Sequence, residues 1–86
     1  MPDAAGTRTV AILADDLIWS TRLIAQVKAA GGDGAPVRTL AALNQALPAA
    51  DAVIVDLTAR AYDGIVAVRK AADAGRRVLA VGQHDD

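Results

Sequence analysis

Three carboxylates stand where two apolar segments of the sequence end. Asp56 follows the apolar residues 52–55, and the pair Asp15 and Asp16 follows the apolar residues 10–14. An apolar run of this length is typical of a strand buried on both faces, which puts each acid at the carboxyl end of its strand. If the two strands are parallel neighbours, the three acids converge despite their mutual repulsion. The pattern therefore predicts a site for a divalent metal or a phosphoryl group, and scattered surface acids are the alternative.

Composition limits the classes of protein that could carry such a site. The chain has 86 residues, of which 53% are hydrophobic and 22% charged, so we expect a single globular domain over residues 1–86. A formal net charge of -1 and only two aromatic residues, one Trp and one Tyr, argue against a nucleic-acid partner. The absence of Cys excludes disulfides and thiolate metal sites. The start lacks a basic leader, and no apolar run approaches the roughly 20 residues of a membrane span. We therefore expect a cytoplasmic protein with no membrane partner.

Strand patterns alternate with helix patterns along the whole chain. The predicted strands are Arg8–Ala14, Val37–Thr39, Ala52–Asp56 and Val78–Val81. The predicted helices run from Asp16 to Ala30, from Leu40 to Leu47 and from Ile65 to the C-cap Gly75, and residues 1–7 and 83–86 are expected to be flexible. Strands joined by helical crossovers predict a parallel sheet with right-handed connections. Ligands of such sheets bind at the carboxyl ends of the strands, where the three acids fall.

Helical periodicity also predicts which residues face the sheet and which cap the helices. The expected inward stripes are Leu17, Ile24 and Val27 in the first helix, Leu40, Leu43 and Leu47 in the second, and Ile65, Val68 and Ala72 in the third. Either Asp15 or Asp16 is expected to cap the first helix, and Thr39 the second. The glycine-rich residues 31–34 follow a helix rather than a strand, so we do not expect a phosphate-binding loop there.

The chain resembles the receiver domain of bacterial response regulators, of the chemotaxis-regulator type, over about residues 8–81. Its closest motifs are the residues 12–16 (Ile-Leu-Ala-Asp-Asp), the residues 51–57 (Asp-Ala-Val-Ile-Val-Asp-Leu) and the pair Asp63-Gly64, which lies seven residues after Asp56. The resemblance implies a flavodoxin-like, doubly wound α/β fold. In this chain it would be truncated to four parallel strands in the order 2-1-3-4 with three helices. It also implies a signalling module of a two-component or phosphorelay system.

The resemblance assigns a role to each acid of the predicted site. Asp56 would be the phosphoacceptor, and Asp15, Asp16, Asp56 and the backbone carbonyl of Thr58 would bind Mg²⁺. A carboxylate that attacks phosphorus approaches a group as negative as itself, so a cation with oxygen ligands suits this chemistry. Asp63 would cap a helix instead. At most, this implies self-phosphorylation and dephosphorylation at Asp56, rather than turnover of a separate substrate.

Two positions depart from the receiver pattern. Receivers carry Ser or Thr at the end of the fourth strand, where this chain has Gly82, and a Lys at the end of a fifth strand, before which the chain ends. The cations considered near the fourth strand, Arg76 and Arg77, precede it and so lie at the wrong edge. The alternative to an active receiver is therefore a non-enzymatic pseudo-receiver that serves as an interaction or dimerisation module, or a fragment of a longer receiver.

A four-stranded receiver would leave apolar surface without a covering helix. The fourth strand would be an edge, and one face of the third and fourth strands would be bare, which predicts a homodimer through this surface. The other expected partner is a sensor kinase or another signalling protein. Among single residues, Tyr62 is expected to be a turn residue, Trp19 a packing residue and His84 part of a solvated loop.

Overall fold

A computed structural model of the protein describes residues 8–60 and 62–82. The strands are β1 (Thr9–Leu13), β2 (Asp33–Val37), β3 (Ala52–Asp56) and β4 (Arg77–Val81). The helices are α1 (Leu17–Ala29), α2 (Leu40–Ala46), continued by a short 3-10 turn (Leu47–Ala49), and α3 (Gly64–Asp73). All neighbouring strands are parallel, in the order β2-β1-β3-β4. The predicted fold class, strand order and number of helices are confirmed. The expectations for His84 and for flexible ends fall outside the described residues.

Each α-helix begins at a polar side chain that caps its first turn. Asp16 accepts a hydrogen bond from the amide of Trp19 at 3.0 Å, and Thr39 accepts one from Ala42 at 3.0 Å. Asp63 caps α3 in the same way. These bonds satisfy amides that lack a partner within the helix, so the chain turns from strand to helix at fixed positions. The C-cap of α3 is Ala74 and not the predicted Gly75. Gly75 is the next residue, and it has a positive φ of 78°.

The second strand begins four residues earlier than predicted. It covers Asp33–Val37 instead of Val37–Thr39, and it contains Pro36, which cannot donate a ladder hydrogen bond. β2 is an edge strand, where a residue without an amide proton is tolerated. Gly34 lies close beneath α1, since a Cβ added there would be 3.3 Å from the Cα of Ile24. The glycine-rich stretch therefore allows close packing of this strand against the helix.

The main core lies between the sheet and the helices α2 and α3. It is built from fully buried residues of β1 and β3 together with small and aliphatic residues of the helices: Ala11, Leu13, Leu43, Leu47, Ala50, Val53, Val55, Ala67 and Ala71. The predicted inward stripe of α2 is correct. That of α3 is only partly correct, because Val68 packs against the core but Ile65 is 64% exposed and Ala72 is exposed, while Ala67 and Ala71 are buried. Small residues on this face let the helix approach the sheet closely.

The helix α1 covers the opposite face of the sheet. A Cβ at Gly34 would contact both Ile12 and Ile24, which places these two side chains on the same side. The helix buries Ser20 and Leu23, whereas Leu17, predicted to point inward, is 72% exposed. None of the described helices has both the length and the apolar character that a membrane span requires.

Coverage by α1 decreases across this face of the sheet. Ile12 of β1, Ile54 of β3 and Leu79 of β4 are aligned by the strand register and lie on the same face. Ile12 is fully buried, Ile54 is half-buried and Leu79 is 57% exposed. Within the part of the chain that the structure describes, no helix covers the β4 end of this face.

Candidate functional site

The carboxyl edge of the sheet brings two of the three predicted acids to neighbouring positions in the fold. Asp56 is the last residue of β3, and Asp15 lies two residues after the end of β1, its neighbour in the sheet. The chain leaves β1 toward one face of the sheet and β3 toward the other. The gap between these strand ends is therefore the topological switch point, where open α/β sheets bind their ligands.

Asp56 is completely buried, and its charge is met by donors from the next turn of chain. Its Oδ1 accepts a hydrogen bond from the amide of Thr58 at 2.9 Å and another from the Thr58 hydroxyl at 2.6 Å. A buried carboxylate without such donors would be strongly disfavoured. Short hydrogen bonds to a carboxylate are also among the stronger ones in proteins. Thr58, predicted as a metal ligand through its carbonyl, is thus a double donor to Asp56.

Asp15 receives its hydrogen bonds from two different loops. Its Oδ2 accepts from the amide of Arg60 at 3.2 Å, and its backbone carbonyl accepts from Arg38 Nη2 at 3.1 Å. Sequence reasoning considered only Arg76 and Arg77 as nearby cations and missed Arg38. The predicted strand Val37–Thr39 enclosed Arg38, whereas β2 ends at Val37, so Arg38 follows it at the carboxyl edge of the sheet. Arg76 lies elsewhere, with its Nε donating to the carbonyl of Leu47.

Asp16 has a separate role from the other two acids. Its exposed carboxylate caps α1 instead of joining Asp15 and Asp56. Among residues 8–60 and 62–82, no group of three or more acidic or histidine side chains is placed to hold a metal ion. Binding of Mg²⁺ by Asp15, Asp16, Asp56 and Thr58 stays a prediction.

Tyr62, predicted to be a turn residue, contacts the ends of the two strands that lead to the acids. Its half-buried ring packs against the main core, and its hydroxyl is 2.8 Å from both the carbonyl oxygen of Leu13 and that of Asp56. Burial raises the pKa of Tyr62 above its ordinary value, and the negative charges of Asp56 and Asp15 raise it further. No spacing rule pointed to this contact, which depends on how the loop folds back over the strand ends.

The end of β4 lies beside the same loop. A Cβ added to Gly82 would be 3.3 Å from Cγ2 of Thr58, so this position borders the donors of Asp56. Glycine supplies no hydroxyl here. Gly82, where receivers carry Ser or Thr, is therefore close in space to the acidic edge, by which we mean the carboxyl edge of the sheet at Asp15 and Asp56. It lacks the group that would bind a phosphoryl oxygen.

Exposed apolar side chains surround the acidic edge. Five large hydrophobic residues that are more than one-third exposed occupy the segments following β1 and β3: Leu17, Ile18, Leu57, Ile65 and Val66. The half-buried Trp19 lies in the first of these segments, and its indole nitrogen is buried without a hydrogen-bond partner among the described residues. Both segments that follow the acid-bearing strands therefore present apolar side chains to solvent.

Comparison with known proteins finds a likeness among solved structures. No family model matches the chain, and no curated protein matches it. Among solved structures, the chain is similar to the signal receiver domain of a modulated diguanylate cyclase from Desulfovibrio desulfuricans G20, which is described as an example of alternate folding. The TM-score is 0.74 at 25% sequence identity, and the match covers 92% of this chain and 67% of that one. The likeness extends over nearly the whole described architecture.

Proposed function

We propose that this chain, which is a divergent receiver domain, is a signalling module that acts through protein contacts and keeps Asp56 as a structural acid. The proposal rests on the burial and the hydrogen bonds of Asp56. The carboxylate is fully buried, and one of its oxygens accepts two hydrogen bonds from Thr58. These bonds tie the tip of β3 to the loop that follows, so the acid stabilises the local fold.

The chemistry of phosphoryl transfer supports this preference. A nucleophilic carboxylate must present an oxygen to phosphorus, and Asp56 exposes no surface in this fold, so the tip of β3 would have to open first. Gly82 contributes no hydroxyl to hold a phosphoryl oxygen, although it lies next to Thr58. Loss of one such preorganised donor commonly lowers a rate by about 10²-fold or more.

The second candidate function is a phosphorylated receiver with Asp56 as the phosphoacceptor. It is favoured by the position of Asp56 at the switch point beside β1, with Asp15 on the adjacent strand end. In this case the Asp56 carboxylate would attack the phosphorus of acetyl phosphate, acetate would leave with the electron pair, and an acyl phosphate would form. A bound Mg²⁺ would offset the charge of the two anions.

Exposure to acetyl phosphate with Mg²⁺ distinguishes the two functions. We expect the intact mass of the protein to show no added phosphoryl group, and beryllofluoride with Mg²⁺ to leave the fluorescence of Trp19 unchanged. An established active receiver treated in parallel shows that the reagents work. Labelling that disappears in Asp56→Asn but persists in Asp73→Asn, a matched change on the exposed side of α3, would replace the first proposal with the second.

A second copy of this chain is the partner that we assign to β4. Beyond β4 the sheet has no further strand among the described residues, so one side of this strand can form hydrogen bonds with another chain. In an antiparallel pair centred on Leu79, Val78 would lie opposite Ala80 of the other copy. Both are small apolar residues that can pack against each other. Leu79, 57% exposed, would contact its own equivalent.

A further inference from the structure

At the carboxyl edge, backbone hydrogen bonds extend the two outer strand pairs, and a side chain contacts the central pair, β1 and β3. The amide of Ala14 donates to the carbonyl of Val37 at 3.2 Å, which extends the pairing of β1 with β2. The amide of Leu57 donates to Val81 at 2.7 Å, which does the same for β3 and β4. Between β1 and β3, the Tyr62 hydroxyl lies within hydrogen-bonding distance of the last carbonyls of both strands. A side chain thus joins the two strands at the switch point.

The loop that carries Tyr62 also supplies the donors for the two neighbouring acids. Thr58 donates to the carboxylate of Asp56, and the amide of Arg60 donates to that of Asp15. These three attachments of the loop therefore meet at the same pair of strand ends. Their geometry depends on the separation of β1 and β3, because one loop of fixed length must reach both carboxylates.

We propose that Tyr62 is a positioning residue for the acidic edge: its hydroxyl sets the separation of the β1 and β3 ends and thereby keeps the amides of Thr58 and Arg60 on the two carboxylates. This role goes beyond the proposed function, since it is the same whether or not Asp56 accepts a phosphoryl group. The hydroxyl has one proton for two carbonyl acceptors, so it bridges the strands by sharing that proton or alternating between them.

Tyr62→Phe tests this role because it keeps the ring in the core and removes only the hydroxyl. Amide hydrogen exchange, followed residue by residue, reports on the positions of Thr58 and Arg60. We expect both amides to exchange roughly 2- to 12-fold faster beyond any global change, the size of one net hydrogen bond. The amide of Ala42, bonded to Thr39 at the cap of α2, should follow the global change only.

Arg76→Gln is the matched control. The Nε of Arg76 donates to the carbonyl of Leu47 at 3.0 Å. The substitution therefore removes another long-range bond from a side chain to a backbone carbonyl, at a place away from the acidic edge. We expect this variant to leave the exchange of Thr58 and Arg60 at the global level. If Tyr62→Phe changes these two amides no more than Arg76→Gln does, Tyr62 contributes to stability alone and the positioning role is overturned.

A measurement on the folded wild type covers the case in which Tyr62→Phe does not fold. Tyr62 is the only tyrosine of the chain, so ultraviolet absorbance of its phenolate reports its titration without assignment. Burial raises the pKa of Tyr62, and the charges of Asp56 and Asp15 raise it further, so the phenol of the folded wild type should stay protonated at the pH where that of the urea-unfolded chain titrates. A folded wild type whose tyrosine titrates at the same pH as the unfolded chain would mean that the hydroxyl is not held at the strand ends, which also overturns the role.

Discussion

The two faces of the sheet are built from similar apolar residues but differ in how completely they are covered. On the face of α2 and α3, Val53 and Val55 of β3 have no exposure to solvent. On the face of α1, Ile54 of the same strand is half-buried, and Leu79 beside it on β4 is 57% exposed. One strand thus has a closed side and an open side.

The difference shows that burial in this fold is decided by the helices and not by the strands. Two helices pack on one face, whereas α1 packs on β1 and β2 of the other and leaves the β4 end open. The sequence of β4 is apolar in the same way as that of β3, since a strand between two helical layers needs apolar residues on both faces. Leu79, which is 57% exposed, forgoes about half of the roughly 1.5–3 kcal/mol that full burial of a leucine side chain contributes, and a covering partner could recover it.

The largest expected effect is on the free energy of unfolding, when a leucine on each face is shortened to alanine. Leu13→Ala removes a fully buried side chain of the main core and should lower the free energy of unfolding by about 2–5 kcal/mol. Leu79→Ala, the same chemical change on the open face, should lower it by less than about 1 kcal/mol, since a half-exposed residue leaves little cavity. Urea unfolding at low protein concentration measures both. Equal losses would contradict the comparison, because they would require Leu79 to be covered in solution.

An intermediate effect is expected at the acidic edge when the pH is raised. The pKa of Tyr62 is raised in the folded state, first by burial and then by Asp56 and Asp15, from an ordinary value of about 10 in the unfolded chain. Below pH 10 both states hold the phenol proton and nothing changes. Above it the unfolded state loses the proton first, so the free energy of unfolding falls as the pH rises, by up to about 1.4 kcal/mol per pH unit.

Tyr62→Phe provides the reference for this pH dependence. The contribution of Tyr62 is the difference between the wild-type and variant slopes above pH 10. Urea unfolding at several pH values measures it. Parallel slopes in the two proteins would show that the tyrosine is not buried beside the acids.

The sequence predicted the architecture well because the strand and cap signals are local. The apolar runs that end in Asp15 and Asp56 identify β1 and β3, and the caps Thr39 and Asp63 mark the starts of their helices. The strand order followed from the resemblance together with the crossover rule. The convergence of Asp15 and Asp56 on neighbouring strand ends needed nothing more than parallel pairing.

The features that sequence reasoning missed depend on tertiary packing. Alanine is so frequent that the helix α3 has two plausible inward stripes, and the sheet selects the smaller residues Ala67 and Ala71 over Ile65. Adjacent acids look equivalent in sequence, yet Asp16 caps a helix while Asp15 faces the loop. The bridging contact of Tyr62 depends on a loop conformation that carries no local signal.

The smallest expected effect on folding, and the sharpest test of the open face, comes from Leu79→Asp. Because Leu79 is mostly exposed, the charge should change the free energy of unfolding of the monomer by only about 0.5 kcal/mol. If two copies pair through β4, the same charge would meet its own equivalent across the two-fold axis, and sedimentation should show the dimer replaced by monomer. Ile65→Asp is the matched control, since Ile65 is 64% exposed but lies at the acidic edge, away from β4. A wild-type protein that stays monomeric at high concentration would contradict pairing through β4, as would a dimer lost equally in both variants.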